Sequence, residues 1–535
     1  MALRRIAFRR WFEEKVELGE TLPFLWFRDK VFTYGQVNDS VNRVSHALSG
    51  LGIRKGTKVA LMMGNSPEFI YCWFGLAKIG AISLFVNVDL KSDSLTHLLK
   101  NGDAECVIID RNRVPQLDAV AEALPGLKHI LCIPNGDGTG SPRRMLSFDR
   151  LCAEAPSSPP PDVAVADGDP MGFIHTAGTT GPPKWAILSH KAYITGAENL
   201  REWAMTHYKD IFYNPLPLFH INPQMYFLLN ALAGNASVVI TEKYSASHLW
   251  KEVCRYGATV LVLHTAPGVY ALKQPVIPEE TQHRVRMLIV PGSRLFIERF
   301  RIPVLGSGYG STELPGFVAL QKFYLPLARK WDCFGDGLNK FTGKPVPYVD
   351  IKVCDERDQE LPRERIGQIL VRGKEEHVIF DGYYNMPEKT NEVLRGGWYH
   401  TGDAGRFDED GNLIYEGRAA ESISVKGEWV HIDEVESVIR SYPDVVDVAV
   451  VGVAAEAGND IMACVQMSQG HTLDPAALLD YCQSKLARFM VPRYVDVVRE
   501  FPRTPGTEKI QKEILKKRGI GNAWDREKAG YTLKR

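Results

Sequence analysis

The sequence has no excess of charge of either sign, since 64 lysines and arginines balance 64 aspartates and glutamates. That balance, with no strongly basic segment, argues against a nucleic-acid partner. Nine scattered cysteines contain no C-x-x-C pair. A zinc site and a disulfide framework are therefore not expected, and free thiols suit a reducing cytoplasm. No G-x-x-x-x-G-K-[ST] loop is present, which rules out a Walker A phosphate site. The stretch "MALRRIAFRRWFEEK" has no apolar core of the kind a secretory signal needs. Its Arg4, Arg5, Arg9 and Arg10, set beside Ile6, Phe8 and Trp11, predict a solvated amphipathic helix rather than a membrane anchor. The most apolar window, residues 69–86, is interrupted by Lys78 and two glycines. It reads as a buried helix, a turn at Gly80 and a buried strand, not as a membrane span.

What is present is the composition of an ordinary globular enzyme: 45% hydrophobic and 24% charged over 535 residues, enough for two to four domains. Val37, Val41, Val44 and Leu48 recur at helical spacing ahead of Gly50 and Gly52. The strand "TKVALMMG", the helix "SPEFIYCWFGLAKIG", the strand "AISLFVN", the helix "SDSLTHLLKNG" and the strand "AECVIID" then alternate. Such alternation predicts an α/β fold with a parallel, doubly wound sheet. Residues 134–168 are rich in Pro, Gly and Ser and read as exposed loop. A second α/β stretch runs over about 170–310, followed by a β-rich subdomain over 343–418 and a small α+β unit after it. The expected division is a large domain, 1–418, and a small mobile domain, 421–535, with a hinge near 418–421.

One stretch stands out against this background, "HTAGTTGPPKWAILSH" at 175–190. Thr176, Gly178, Thr179, Thr180, Gly181 and Lys184 offer backbone N–H groups, hydroxyls and one ammonium, the groups that hold a phosphate chain. Taken alone, it reads equally as a surface turn. Four other stretches follow in order. "GYGSTE" (308–313) carries Gly308, Tyr309, Gly310, Ser311, Thr312 and Glu313. "YHTGDAGRFDEDGNLIYEGR" (399–418) carries Asp403 on a T-G-D turn and ends in Arg418. "SVKGEWVHIDEVE" (424–436) carries Gly427, and "PRTPGTEKIQK" (502–512) carries Lys509. Each has a local alternative: Glu313 as a helix N-terminal carboxylate, Asp403 as a turn former, Lys509 as a surface lysine, and Tyr309 or His220 as core or loop residues.

In this order and spacing, over residues 20–515, the chain resembles the adenylate-forming superfamily of acyl-CoA synthetases, nonribosomal adenylation domains and luciferases. "CWFGLAKIGAISLFVNVDLKSDSLTHLL", "YSASHLWKEVCRYGATV" and "VKGEWV" bring it nearest the fatty-acid-transport-protein and carnitine-CoA-ligase-like branch. The resemblance implies a role for each motif. Thr176, Thr179, Thr180 and Lys184 would close over the β- and γ-phosphates of ATP, with Gly178 and Gly181 in the same loop. Tyr309, between Gly308 and Gly310, would stack on adenine, with Ser311 in the same nucleotide site, and Thr312 would bond the α-phosphate. Glu313, with Thr176, would hold Mg²⁺, a hard cation that takes oxygen ligands. Asp403 would accept the ribose hydroxyls, and Arg418 would reach the ribose and phosphate region. Lys509 would stabilise the transition state. His220 in "PLPLFHIN" would border the acyl pocket, and the Gly427 turn would meet the thiol of CoA. The reaction implied is carboxylate activation to an acyl-adenylate, followed by transfer to CoA. Peripheral membrane contact and homodimerisation stay open.

The sequence departs from that pattern at Ala177, Trp185, Glu421 and Trp429, at the extra Gly506, and in a short segment between Gly292 and Gly310. Trp185 and Trp429 are either packing substitutions or changes to the acid pocket or the CoA route. Two alternatives follow: an adenylating enzyme with another second partner, such as nitrite for diazotisation of an aryl amine, or a non-catalytic nucleotide-binding scaffold.

Overall fold

The computed structural model describes residues 3–90, 92–134, 145–176, 183–263, 265–289, 294–324, 341–418, 422–425, 428–455, 458–486, 488–503 and 510–533. The chain divides into two compact units. One comprises Met1–Ile351, Val371–Tyr399 and Asp410–Ile414; the other comprises Lys352–Leu370, His400–Glu409 and Tyr415–Arg535. The β-rich stretch 343–418 thus contributes to both units.

In the first unit, local sequence sets the helix boundaries. Thr33 opens the helix Tyr34–Gly50 with a reciprocal cap: its hydroxyl accepts from Gln36 N, and the Gln36 side chain accepts from Thr33 N. Val37, Val41, Val44 and Leu48 face inward, as their spacing predicts. Ser66 caps the helix Pro67–Lys78, which is buried on every side. Gly80 then turns the chain at φ +70° into the buried strand Ile82–Phe85. No helix among the described residues is long and apolar enough to cross a membrane.

The helix expected to be solvated is not. Phe8–Gly19 buries Phe8, Trp11, Phe12 and Val16, and the Phe8 and Phe12 rings meet Phe74 at 4.8 and 5.1 Å. Its aromatic face outweighs the arginines, which pair with Glu13, Glu14 and Glu375 at the rim. The expected exposed loop 134–168 likewise contains ordered structure, the short strand Leu146–Ser147 and the helix Phe148–Glu154.

Two sheets carry this unit. The seven-stranded sheet runs Leu146–Ser147, His129–Ile133, Cys106–Asp110, Lys58–Met62, Ile82–Phe85, Pro170–Thr176, Lys184–Ser189. All its pairs are parallel except the last. Its parallel strands are continuous apolar runs because helices cover both faces. The second sheet is parallel through Ser237–Ile240, Ile211–Asn214, Val260–Val262, Met287–Ile289 and Val304–Ser311. It continues through the antiparallel hairpin of Val304–Ser311 with Leu314–Tyr324. The helix His190–Ala204 presses on that hairpin at Gly196, where a Cβ would stand 2.8 Å from the Pro315 carbonyl oxygen.

In the second unit, Val445–Ala455, Gly458–Met467 and Tyr494–Val497 form the centre of a six-stranded sheet. The helices Ile432–Arg440 and Pro475–Gln483 pack on one core, and Leu515 of Lys512–Arg518 packs into the other. The expected alternation after residue 421 is therefore a small α+β layer.

Candidate active site

Thr176 and Lys184 stand opposite each other, paired at the open end of the strands Pro170–Thr176 and Lys184–Ser189. Gly178, Thr179, Thr180 and Gly181 lie outside the described residues, as do Ala177, Glu421, Gly427, Gly506 and Lys509. The Lys184 ammonium lies over the Tyr383 ring, 4.7 Å from its centroid.

Trp185 points the other way. It is 0% exposed, packs among Leu84, Leu98 and Phe173, and donates from Nε1 to the Leu98 carbonyl over 2.9 Å. Alternation along a strand sends neighbouring side chains to opposite faces, so Lys184 meets the Tyr383 ring on one face while Trp185 fills the core on the other. Trp185 is a packing residue.

"GYGSTE" forms the hairpin, not a helix start. Ser311 pairs with Leu314, and Thr312 and Glu313 make the turn between them. Glu313 is only 8% exposed. Ser311 Oγ donates to its Oε2 over 2.9 Å, and the Tyr383 hydroxyl donates to its Oε1 over 2.8 Å. Two neutral donors hold the carboxylate in one orientation while leaving lone pairs on both oxygens. A buried carboxylate beside hydroxyls is an all-oxygen set, the chemistry a Mg²⁺ ion takes. Tyr309 is buried in the strand before the turn.

His220 is exposed, and the loop before it is tightly held. Asn65 donates to the Leu216 and Thr241 carbonyls at 2.9 Å each and accepts from Leu218 N at 2.8 Å. Gln224 Nε2 donates to the Leu218 carbonyl, and its Oε1 accepts from the Tyr193 hydroxyl. A π-helical turn, Gln224–Leu229, follows, a geometry often found beside functional sites. His175 accepts from Asn87 N at Nε2; burial, and then the charge of His220, press its pKa down to about 4. It is therefore neutral near pH 7.

Asp403 and Arg418 belong to the second unit. Asp403 does not sit on a turn: it lies within the strand Trp398–Phe407, kinked where Gly402 takes φ +72°. It is 4% exposed, and its N–H donates to Thr401 Oγ1, which itself donates to the Ile369 carbonyl. Arg418 ends the strand Leu413–Arg418. The backbone of Trp429 lies in Glu428–His431.

The structure thus brings Lys184, Ser311 and Glu313 around one residue, Tyr383, that the sequence motifs did not reveal. Asn65 and His175 were also unassigned. His175 opens the phosphate-loop stretch, and that adjacency was the one available signal.

The fold and this site define an AMP-binding enzyme. The family model for the AMP-binding enzyme matches residues 12–384, and that for the AMP-binding enzyme C-terminal domain matches 434–506. The chain belongs to this family. It is 31% identical over 503 residues to the crotonobetaine/carnitine–CoA ligase of Proteus mirabilis (strain HI4320), covering 90% of this chain and 93% of the relative. It is 30% identical over 498 residues to the ligase of the same name from Escherichia coli O6:K15:H31, with the same coverage. Among solved structures it is similar to the anthranilate CoA ligase AuaEII in complex with anthranoyl-AMP. That match has a TM-score of 0.78 and 25% identity, over 97% of this chain and 98% of that one.

Proposed function

We propose that the protein is an ATP-dependent, AMP-forming acyl-CoA ligase. The observation that carries this reading is the joint placement of Lys184 and Glu313 about Tyr383, in a chain similar throughout its length to CoA ligases. A carboxylate oxygen of the acid attacks the α-phosphorus of ATP, and pyrophosphate leaves. The CoA thiol then attacks the acyl carbonyl carbon, loses its proton, and AMP departs with the electron pair of the broken C–O bond.

Thr176 and Lys184 bind the β- and γ-phosphates, with Gly178, Thr179, Thr180 and Gly181 completing the loop. A charge-assisted contact of this kind contributes about 1.5–3 kcal/mol. Tyr309 supports adenine, Thr312 the α-phosphate, and Asp403 and Arg418 the ribose and phosphate region. Glu313, with Thr176, is the candidate holder of Mg²⁺, which when bound offsets phosphate charge. His220 borders the acid. Lys509 supplies the cation that offsets charge in the transition state, and the Gly427 turn serves the CoA step. A hinge near 418–421 between domains 1–418 and 421–535 would exchange those two roles. Free thiols suit a cytoplasmic setting.

Carboxylate-dependent exchange of labelled pyrophosphate into ATP tests the first step. Exchange with a carboxylate that stops when Mg²⁺ is chelated is expected. Exchange that requires nitrite would favour the diazotising alternative, and ATP binding without exchange would favour the scaffold.

A further inference from the structure

We propose that Tyr383 is a positioning residue that presets the two opposite charges of the ATP site, a role that rests on the Mg·ATP reading above. Its hydroxyl holds the Glu313 carboxylate, and its ring face holds the Lys184 ammonium.

The backbone fixes where the ring lies. Asp381 N donates to the Ile187 carbonyl over 3.0 Å, Ile187 N to Gly382 over 3.0 Å, and Tyr384 N to Trp185 over 2.9 Å. These bonds lay segment 381–384 along the strand that begins at Lys184, and the register pairs Tyr383 with Ala186, two residues from Lys184 on the same face. Gly382 takes φ +108°, and a Cβ there would stand 2.6 Å from Thr390 Cγ2. Thr390 Oγ1 in turn accepts from Tyr383 N over 2.8 Å. Side chain and main chain are both tied.

The electrostatic logic follows from the placement. A lysine meant for phosphate and a glutamate meant for a cation attract one another, and a direct pair would spend both charges. No ion pair between Lys184 and Glu313 occurs among the described residues; the one phenol contacts both, the carboxylate through its hydroxyl and the ammonium through its ring. Its π face attracts the ammonium, and its positive O–H end meets the carboxylate. Each charge is satisfied without being cancelled, and each keeps bonding capacity for the nucleotide and the metal ion.

Tyr383→Phe and Tyr383→Leu separate the two contacts. Mn²⁺ binding, read by electron paramagnetic resonance with ATP present, is measured beside metal-free ATP binding by calorimetry and the Mg²⁺ dependence of pyrophosphate release. Y383F keeps the ring and loses the hydroxyl. Its Mn²⁺ affinity should fall about tenfold and its half-saturating Mg²⁺ rise by a similar factor, with metal-free ATP affinity unchanged. Y383L should also weaken metal-free ATP binding about threefold. Wild-type Mn²⁺ affinity in Y383F would overturn the proposal, as would an equal loss of metal-free ATP affinity in both variants. If the wild type binds Mn·ATP but activates no carboxylate, the ligase reading fails while the Mn²⁺ comparison still decides the role of Tyr383. If the wild type binds no Mn·ATP, both fall.

Discussion

Trp185 donates its indole N–H to the Leu98 carbonyl over 2.9 Å, tying the strand that carries Lys184 to the helix Ser92–Asn101. The fit is close: a Cβ on Gly102 would fall 2.7 Å from the same indole nitrogen. Trp185→Ala should therefore cost about 3–5 kcal/mol of stability through the cavity it leaves. The ranking of acids by kcat/KM should stay as in the wild type. Denaturant unfolding and a carboxylate panel measure the two effects. A stable variant with a changed acid preference would return Trp185 to the substrate pocket.

Asn65 makes three hydrogen bonds to the backbone around the loop that leads to His220. Asn65→Ala leaves two carbonyls and one N–H without that partner, at about 1–3 kcal/mol for each buried group left unsatisfied. His220→Ala removes an exposed ring that meets Phe219 at 4.4 Å. Both should raise KM for the carboxylate, but only N65A should lower the unfolding midpoint. Steady-state kinetics beside thermal melts distinguish them.

His190 is buried and accepts from Phe8 N at Nδ1 over 3.1 Å, which requires the neutral ring. Burial holds its pKa down to about 4, with Asp169 opposing and Lys55 reinforcing the shift. The folded protein therefore binds fewer protons than the unfolded chain between about pH 6.5 and 4. Stability from this group is complete above about pH 6.5 and is lost as the pH falls towards 4, by at most about 3 kcal/mol. Unfolding free energies across that range should show the decline, and His190→Gln should flatten it.

Under the proposed function, Lys509 offsets charge in the transition state. Lys509→Ala should lower carboxylate-dependent pyrophosphate release about a hundredfold or more, with little change in ATP affinity by calorimetry. Equal losses in both would make Lys509 a ground-state binder instead.

Much of the fold was legible because parallel strands and their covering helices leave strong apolar periodicity, as in Lys58–Met62, Pro67–Lys78 and Ile82–Phe85. The sequence alone makes the helix Phe8–Gly19 look solvated, because its four buried apolar residues alternate with charges and one sequence does not say what an amphipathic face meets. The turn at Thr312–Glu313 and the strand kink at Gly402 were equally hidden, since short polar motifs suit several backbones. In the site, the residues on contiguous motifs can be named from the sequence alone. Tyr383 cannot, because it reaches Glu313 across 70 positions of chain and only the register against Lys184–Ser189 brings them together. Asn65 acts on residues more than 150 positions away and carries no local signature.

The most direct test is AMP release from Mg·ATP over a panel of fatty, aryl, cinnamoyl-type and carnitine-like acids, each with and without CoA. At least one carboxylate should give AMP and pyrophosphate in equal amounts, with CoA accelerating AMP release and an acyl thioester as product. AMP release that ignores CoA, or that occurs only with nitrite and an aryl amine, would contradict the ligase reading.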